Sequence, residues 1–127
     1  QFAGIMLRDP RSERWFGLED YVFCVLGTDG RQLVVEFKST RNGWSDVGFV
    51  EWPSGDAELG LRREGSSLSI LARQSGSDQW RVLHRYTRDD LSHTLQAGLI
   101  VYAHSEGRGR HDLKARFSWF AAETTPP

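Results

Sequence analysis

The chain has 127 residues, of which 39% are hydrophobic and 26% charged, a balance that fits neither a disordered chain nor a membrane protein and gives one domain able to bury its own core. Lys and Arg number 16 against 17 Asp and Glu, so a net charge of −1 leaves no bulk basic footprint for nucleic acid. The longest apolar run, residues 97–103, falls far short of the roughly 20 residues needed to cross a bilayer, and Cys24 stands alone, which excludes an internal disulfide and a multi-cysteine zinc site.

Apolar residues recur at every second position between clusters of Gly, Ser, Asn and Asp, the pattern of an all-β domain. In chain order the strands are predicted at 2–9, 21–28, 32–40, 47–52, 57–64, 67–74, 80–87, 96–104 and 112–121. Between the first two lies an insertion, 10–20. Asp29-Gly30 predicts a short hairpin, because glycine supplies the positive φ of a tight turn. Reversals follow at 63–67 and 74–78, with longer loops at 41–44 and 53–56. Residues 88–93 are the only helix-like stretch, worth about one turn.

Alternation assigns the faces. Leu33, Val35 and Phe37 oppose Val34, Glu36 and Lys38; Leu68, Ile70 and Ala72 oppose Ser67, Ser69, Leu71 and Arg73. In the later strands, Leu99 and Val101 oppose Ile100, Tyr102 and His104, and Ala115, Phe117 and Trp119 oppose Lys114, Arg116 and Ser118. One apolar face per strand calls for two antiparallel sheets stacked as a β-sandwich. The domain is expected over 1–123, with Thr124-Thr125-Pro126-Pro127 opening a Thr/Pro linker or tail.

Ala3-Gly4-Ile5-Met6-Leu7-Arg8-Asp9, Leu59-Gly60-Leu61-Arg62-Arg63-Glu64-Gly65, Ser75-Gly76-Ser77-Asp78-Gln79-Trp80 and Leu95-Gln96-Ala97-Gly98-Leu99-Ile100-Val101 occur in that order. On these segments the chain resembles the concanavalin-A-like lectin/glucanase superfamily, and more narrowly the small bacterial β-sandwich domains related to "regulation of enolase" proteins. Departures are the absence of the family glycine in Asp78-Gln79-Trp80 and the length of the 10–20 insertion. The resemblance implies a jelly roll, an N-terminal strand preceding Gln1, and an accessory domain within a larger bacterial chain, secreted or on the cell surface.

Catalytic signatures are sparse. Glucanases of this superfamily carry Glu-x-Asp-x-x-Glu on one strand, and that motif is absent. A carboxylate pair drawn from different strands, Glu36 with Glu51 or Glu58, is the remaining hydrolase reading, against the plainer one of solvated strand carboxylates. Among the histidines, His84, His93, His104 and His111, only His104 and His111 flank a common loop, and no Gly-x-Ser-x-Gly elbow or phosphate loop is present. No cofactor is called for, although a structural calcium ion is entertained, with Asp46, Asp56 and Asp112 as its nearest ligands.

Binding has more material. Sugars are held by aromatic planes against their apolar faces and by polar groups on their hydroxyls. Of the five tryptophans, Trp15 and Trp44 fall in predicted loops and Trp52 beside Pro53, so these are expected to be exposed. Trp80 and Trp119 alternate with core residues and are expected to be structural. Arg8, Glu36, Lys38, Arg73, Tyr102 and His104 are expected on the concave sheet, completing a groove with Trp44 and Trp52. The expected function is a non-catalytic carbohydrate-binding, lectin-like module whose partner is a glycan or polysaccharide, with no nucleic acid and no membrane insertion. The alternatives are a structural or protein-interaction sandwich without a small ligand, and a glycoside hydrolase.

Overall fold

In the computed structural model the described residues are 1–14, 19–28, 30–103 and 114–124. The strands are β1 (Phe2–Arg8), β2 (Tyr21–Thr28), β3 (Leu33–Arg41), β4 (Trp44–Glu51), β5 (Glu58–Glu64), β6 (Ser67–Arg73), β7 (Arg81–Thr87) and β8 (Gln96–Tyr102). They form a five-stranded sheet in the order β4-β3-β2-β1-β8 and a three-stranded sheet in the order β5-β6-β7, every neighbouring pair antiparallel.

The alternating side chains do what a sandwich requires. Val22, Cys24, Val35 and Phe37 of the larger sheet meet Leu68, Ile70, Ala72 and Tyr86 of the smaller one in a dry core, with Trp52 and Leu91 at its margins. The opposite face of the larger sheet is also apolar at its centre, where Phe2, Phe23, Val25 and Val34 are buried. That second cluster explains why Val22-Phe23-Cys24-Val25 reads as an unbroken apolar run: β2 is central in its sheet and buried on both faces.

Four local expectations are corrected. The stretch 41–44 is a two-residue hairpin turn, with Asn42 at φ 49° and Gly43 at φ 77° and Arg41 paired with Trp44, so β4 begins at Trp44 and not at Val47. Two consecutive positive φ values are the requirement of a type I′ turn, which Asn-Gly meets with little strain. The Asp29-Gly30 connection is longer than expected, since Thr28 pairs with Leu33; Asp29 itself lies outside the described residues. Residues 88–93 form bends without helix, and a 3-10 turn occurs instead at Pro10–Arg14. Lys114 to Ala121 make no strand pairing, with a bend at Ser118, so the last predicted strand is in neither sheet; its first two positions lie outside the described residues.

One end of the sandwich is tied by charge. Asp9 is buried and accepts hydrogen bonds from the backbone N–H and side chain of Arg11 and from both the N–H (2.8 Å) and Oγ (2.7 Å) of Ser92. Arg88, equally buried, donates to the Thr40 carbonyl (2.8 Å), Ser39 Oγ (3.0 Å), Asp20 and Asp90. Both clusters join segments that belong to different sheets.

Candidate functional site

The outward face of the five-stranded sheet carries a depression of about 470 Å³. Its position follows from register. Phe23 stands between Lys38 on β3 and Met6 on β1, and the parallel row runs from Glu36 through Val25 and Gly4 to Ile100. Met6, Phe23 and Ile100 therefore form the floor, Val47, Glu36 and Lys38 one wall, and Tyr102 the other; Arg8, Glu19 and Tyr21 close one end.

Aromatic packing sets the shape. The Tyr102 ring stacks on Phe2 at 5.2 Å and tilts over Phe23 at 5.7 Å, while Tyr21 lies nearly parallel to Phe23 at 5.9 Å. Gly4 lies between the Glu36 and Ile100 columns where β1 and β2 come so close that a Cβ would meet the Cys24 carbonyl, so no side chain rises there to block the Tyr102 hydroxyl from reaching Glu36. Tyr102 donates to Glu36 Oε1, and burial together with this bond pushes the phenol well above its ordinary range. The hydroxyl is thus a fixed neutral donor at physiological pH. The Lys38 ammonium sits over both the Tyr21 ring (5.7 Å) and the Phe23 ring (5.8 Å), in reach of cation–π attraction from each.

Of the expected ligand-binding residues, the structure brings Arg8, Glu36, Lys38 and Tyr102 to this one groove. It separates the others. Trp52 is 4% exposed, packed in the inter-sheet core with Nε1 donating to the Asp56 carbonyl, and so is a structural residue and not an exposed stacking platform. Trp44 is 84% exposed but belongs to the inward side of β4, in a different cleft beside Asp46, His84 and Tyr86. Arg73 belongs to the other sheet, ion-paired with Glu58 and lying 4.5 Å over the Trp80 ring. His104 and Trp15 lie outside the described residues. Trp80 and Trp119, expected to be structural, are 40% and 59% exposed, because Trp80 precedes β7 on the outer face and residues 114–124 lack a partner strand.

Tyr21, Phe23, Met6, Val47, Ile100 and Glu19 were not anticipated as lining. The pairing of Phe23 with Lys38 is the feature that puts the first two beside the charged pair, and that pairing is a matter of register between strands.

The rest of the titratable set speaks for structure. Glu36 and Glu51 share a face as diagonal neighbours across β3 and β4, whereas Glu58 is in the other sheet, so no Glu36–Glu58 pair forms. His84 stacks on Phe37 (5.2 Å) and meets Tyr86 edge-on (4.5 Å); burial first, with the Asp46 charge second, pushes the Tyr86 phenol up to about 12. Burial likewise pushes the Cys24 thiol up, away from any nucleophilic role. Among the described residues no group of three or more His, Cys, Asp or Glu side chains could hold a metal ion; Asp46 and Asp56 lie on different elements and Asp112 is outside the description. No helix among the described residues is long and apolar enough to cross a membrane. Comparison of the chain with family models, with curated proteins and with solved structures returns no match.

Proposed function

We propose that the protein is a non-catalytic carbohydrate-binding module of lectin type that takes a glycan in the groove on the outward face of its five-stranded sheet. The observation that carries this reading is the gathering of Tyr21, Phe23 and Tyr102 with Lys38, Glu36 and Arg8 in one depression. Aromatic and apolar walls cover the C–H faces of a pyranose, and fixed donors and acceptors at the rim take its hydroxyls. The resemblance to concanavalin-A-like domains supports the same reading and assigns the sandwich to the jelly-roll group. Glu36 serves as an acceptor for sugar and Tyr102 hydroxyls, not as half of a hydrolytic pair.

The test is a glycan-array screen with and without calcium, followed by titration of any hit. Lys38→Ala and Tyr21→Ala are expected to weaken binding at least about tenfold, equivalent to about 1.4 kcal/mol. Trp44→Ala, in the separate cleft, is expected to leave it unchanged. A blank array, or a hit indifferent to the groove variants, overturns the reading.

A second reading has its own observation. Edge strand β4 exposes Val47 and Phe49 side by side on its outward face, the type of apolar edge through which sandwiches associate. A protein-interaction domain without a small ligand would show concentration-dependent sedimentation that Val47→Lys abolishes.

A further inference from the structure

The two sheets are unequal, and the mismatch falls at one side. β5 lies over β1 and β2, so the next strand outward in the larger sheet, β8, has no strand of the smaller sheet over it among the described residues. Its inward side chains show the consequence: Leu99 is 48% exposed and Val101 53%. β5 is also an edge, with β6 on one side and no strand among the described residues on the other. Strands in a sheet stand about 4.8 Å apart, so one further strand on that free edge would cover β1 and β8.

The chain contains a segment cut to this gap. Residues 114–121 alternate Ala115, Phe117 and Trp119 with Lys114, Arg116 and Ser118, a period-2 pattern about as long as the seven-residue β5 and β8. The segment already borders the vacancy: it lines one side of a cleft of about 700 Å³ whose other walls include Ile5, Leu59 and Leu99. Phe117 and Trp119 are exposed there, as are the side chains they would cover.

We propose that the cleft between β5 and β8 is a receiving slot for residues 114–121 of the same chain, which close it as a fourth strand on the edge of β5. Closed, the strap turns Ala115, Phe117 and Trp119 down onto Leu99 and Val101, leaves Lys114 and Arg116 in water, and pairs the open backbone groups of β5. The open arrangement exposes both an apolar trough and an unpaired edge, which is a surface for any extended chain that displaces the strap.

Hydrogen exchange and limited trypsinolysis of the full chain decide this, because Lys114 and Arg116 place two cleavage sites inside the strap. Amides of 115–121 are expected to exchange at least tenfold more slowly than a free chain, and cleavage after Lys114 and Arg116 to be slowed to match. Leu99→Asp, at a half-exposed position that the open form tolerates, is expected to abolish both protections while β2 and β3 stay protected. Free-chain exchange across 115–121 in the unaltered protein overturns the proposal whatever the variant does. Protection that rises with protein concentration also overturns it, since the strap would then lie on a second copy.

Discussion

At the scale of single residues, Asp9 shows how a carboxylate can be essential without being functional in the chemical sense. It is almost wholly withdrawn from water, and the Arg11 guanidinium, then the Ser92 N–H and hydroxyl, hold its carboxyl well below the usual range against the opposing cost of burial. A carboxyl lowered in the folded state contributes stability that is complete above its unfolded pKa, about 3.9, and that is lost as pH falls through that value toward the folded one. Arg11 is itself largely exposed, so solvent screens the pair and reduces its contribution. Asp9→Asn is therefore expected to lower the urea midpoint at pH 7 and to flatten its decline between about pH 5 and pH 2. An Asn variant whose midpoint still falls in parallel with the original protein would show that other carboxylates carry the acid sensitivity. Asp90, lowered chiefly by its hydrogen bond with Arg88, contributes in the same direction.

At the scale of elements, the β3–β4 hairpin controls the wall of the groove. Asn42 and Gly43 both take positive φ, and their amides are further secured by Asp20 Oδ1 and the Glu19 carbonyl. Register from this turn sets Val47 opposite Lys38 and Phe49 opposite Glu36. Gly43→Ala puts a Cβ into a left-handed conformation and is expected to cost about 1 kcal/mol in thermal or urea unfolding. A larger effect is expected on ligand affinity in the groove than from the reverse control at Gly30, whose loop is remote from it. The hairpin also shows what was legible in the sequence. Alternation placed Glu36 and Lys38 on one face and Leu68, Ile70 and Ala72 on the other kind of face, because burial on one side leaves a period of two. Asn42-Gly43 was equally legible as a tight turn, yet reading it as a loop placed the start of β4 three residues late. Trp52 was not legible: its neighbour Pro53 marks a loop, and only the fold brings the Asp56 carbonyl to its indole and the small sheet over its ring. Nor was the meeting of Tyr102 with Glu36, since β8 joins β1 across the whole chain and no local pattern encodes that pairing.

At the scale of the whole molecule, Arg88 adds a polar fastening between the two stacked sheets beside their shared apolar core. It leaves the end of β7 in the small sheet, and its side chain passes beneath the end of β3 in the large one to reach the Ser39 hydroxyl and the Thr40 carbonyl, with Asp20 and Asp90 balancing the charge. Its own N–H donates to the Ser66 carbonyl at 2.7 Å, so the backbone is anchored as well as the guanidinium. Removing one member of such a buried set strands the others: Arg88→Met leaves the Thr40 carbonyl without this donor and two carboxylates without their shared cation. The expected loss is about 3–5 kcal/mol, read as a fall in the urea midpoint. Arg88→Lys is expected to restore only part of it, because an ammonium keeps the charge but cannot reach in fork geometry to carbonyl, hydroxyl and carboxylates at once. The inter-sheet packing of Phe37, Tyr86 and Ile70 is untouched by either change, so the two variants separate fastening from core. If Arg88→Met unfolds within about 1 kcal/mol of the original protein, the apolar core alone holds the sheets together and the groove's frame does not depend on this charge cluster.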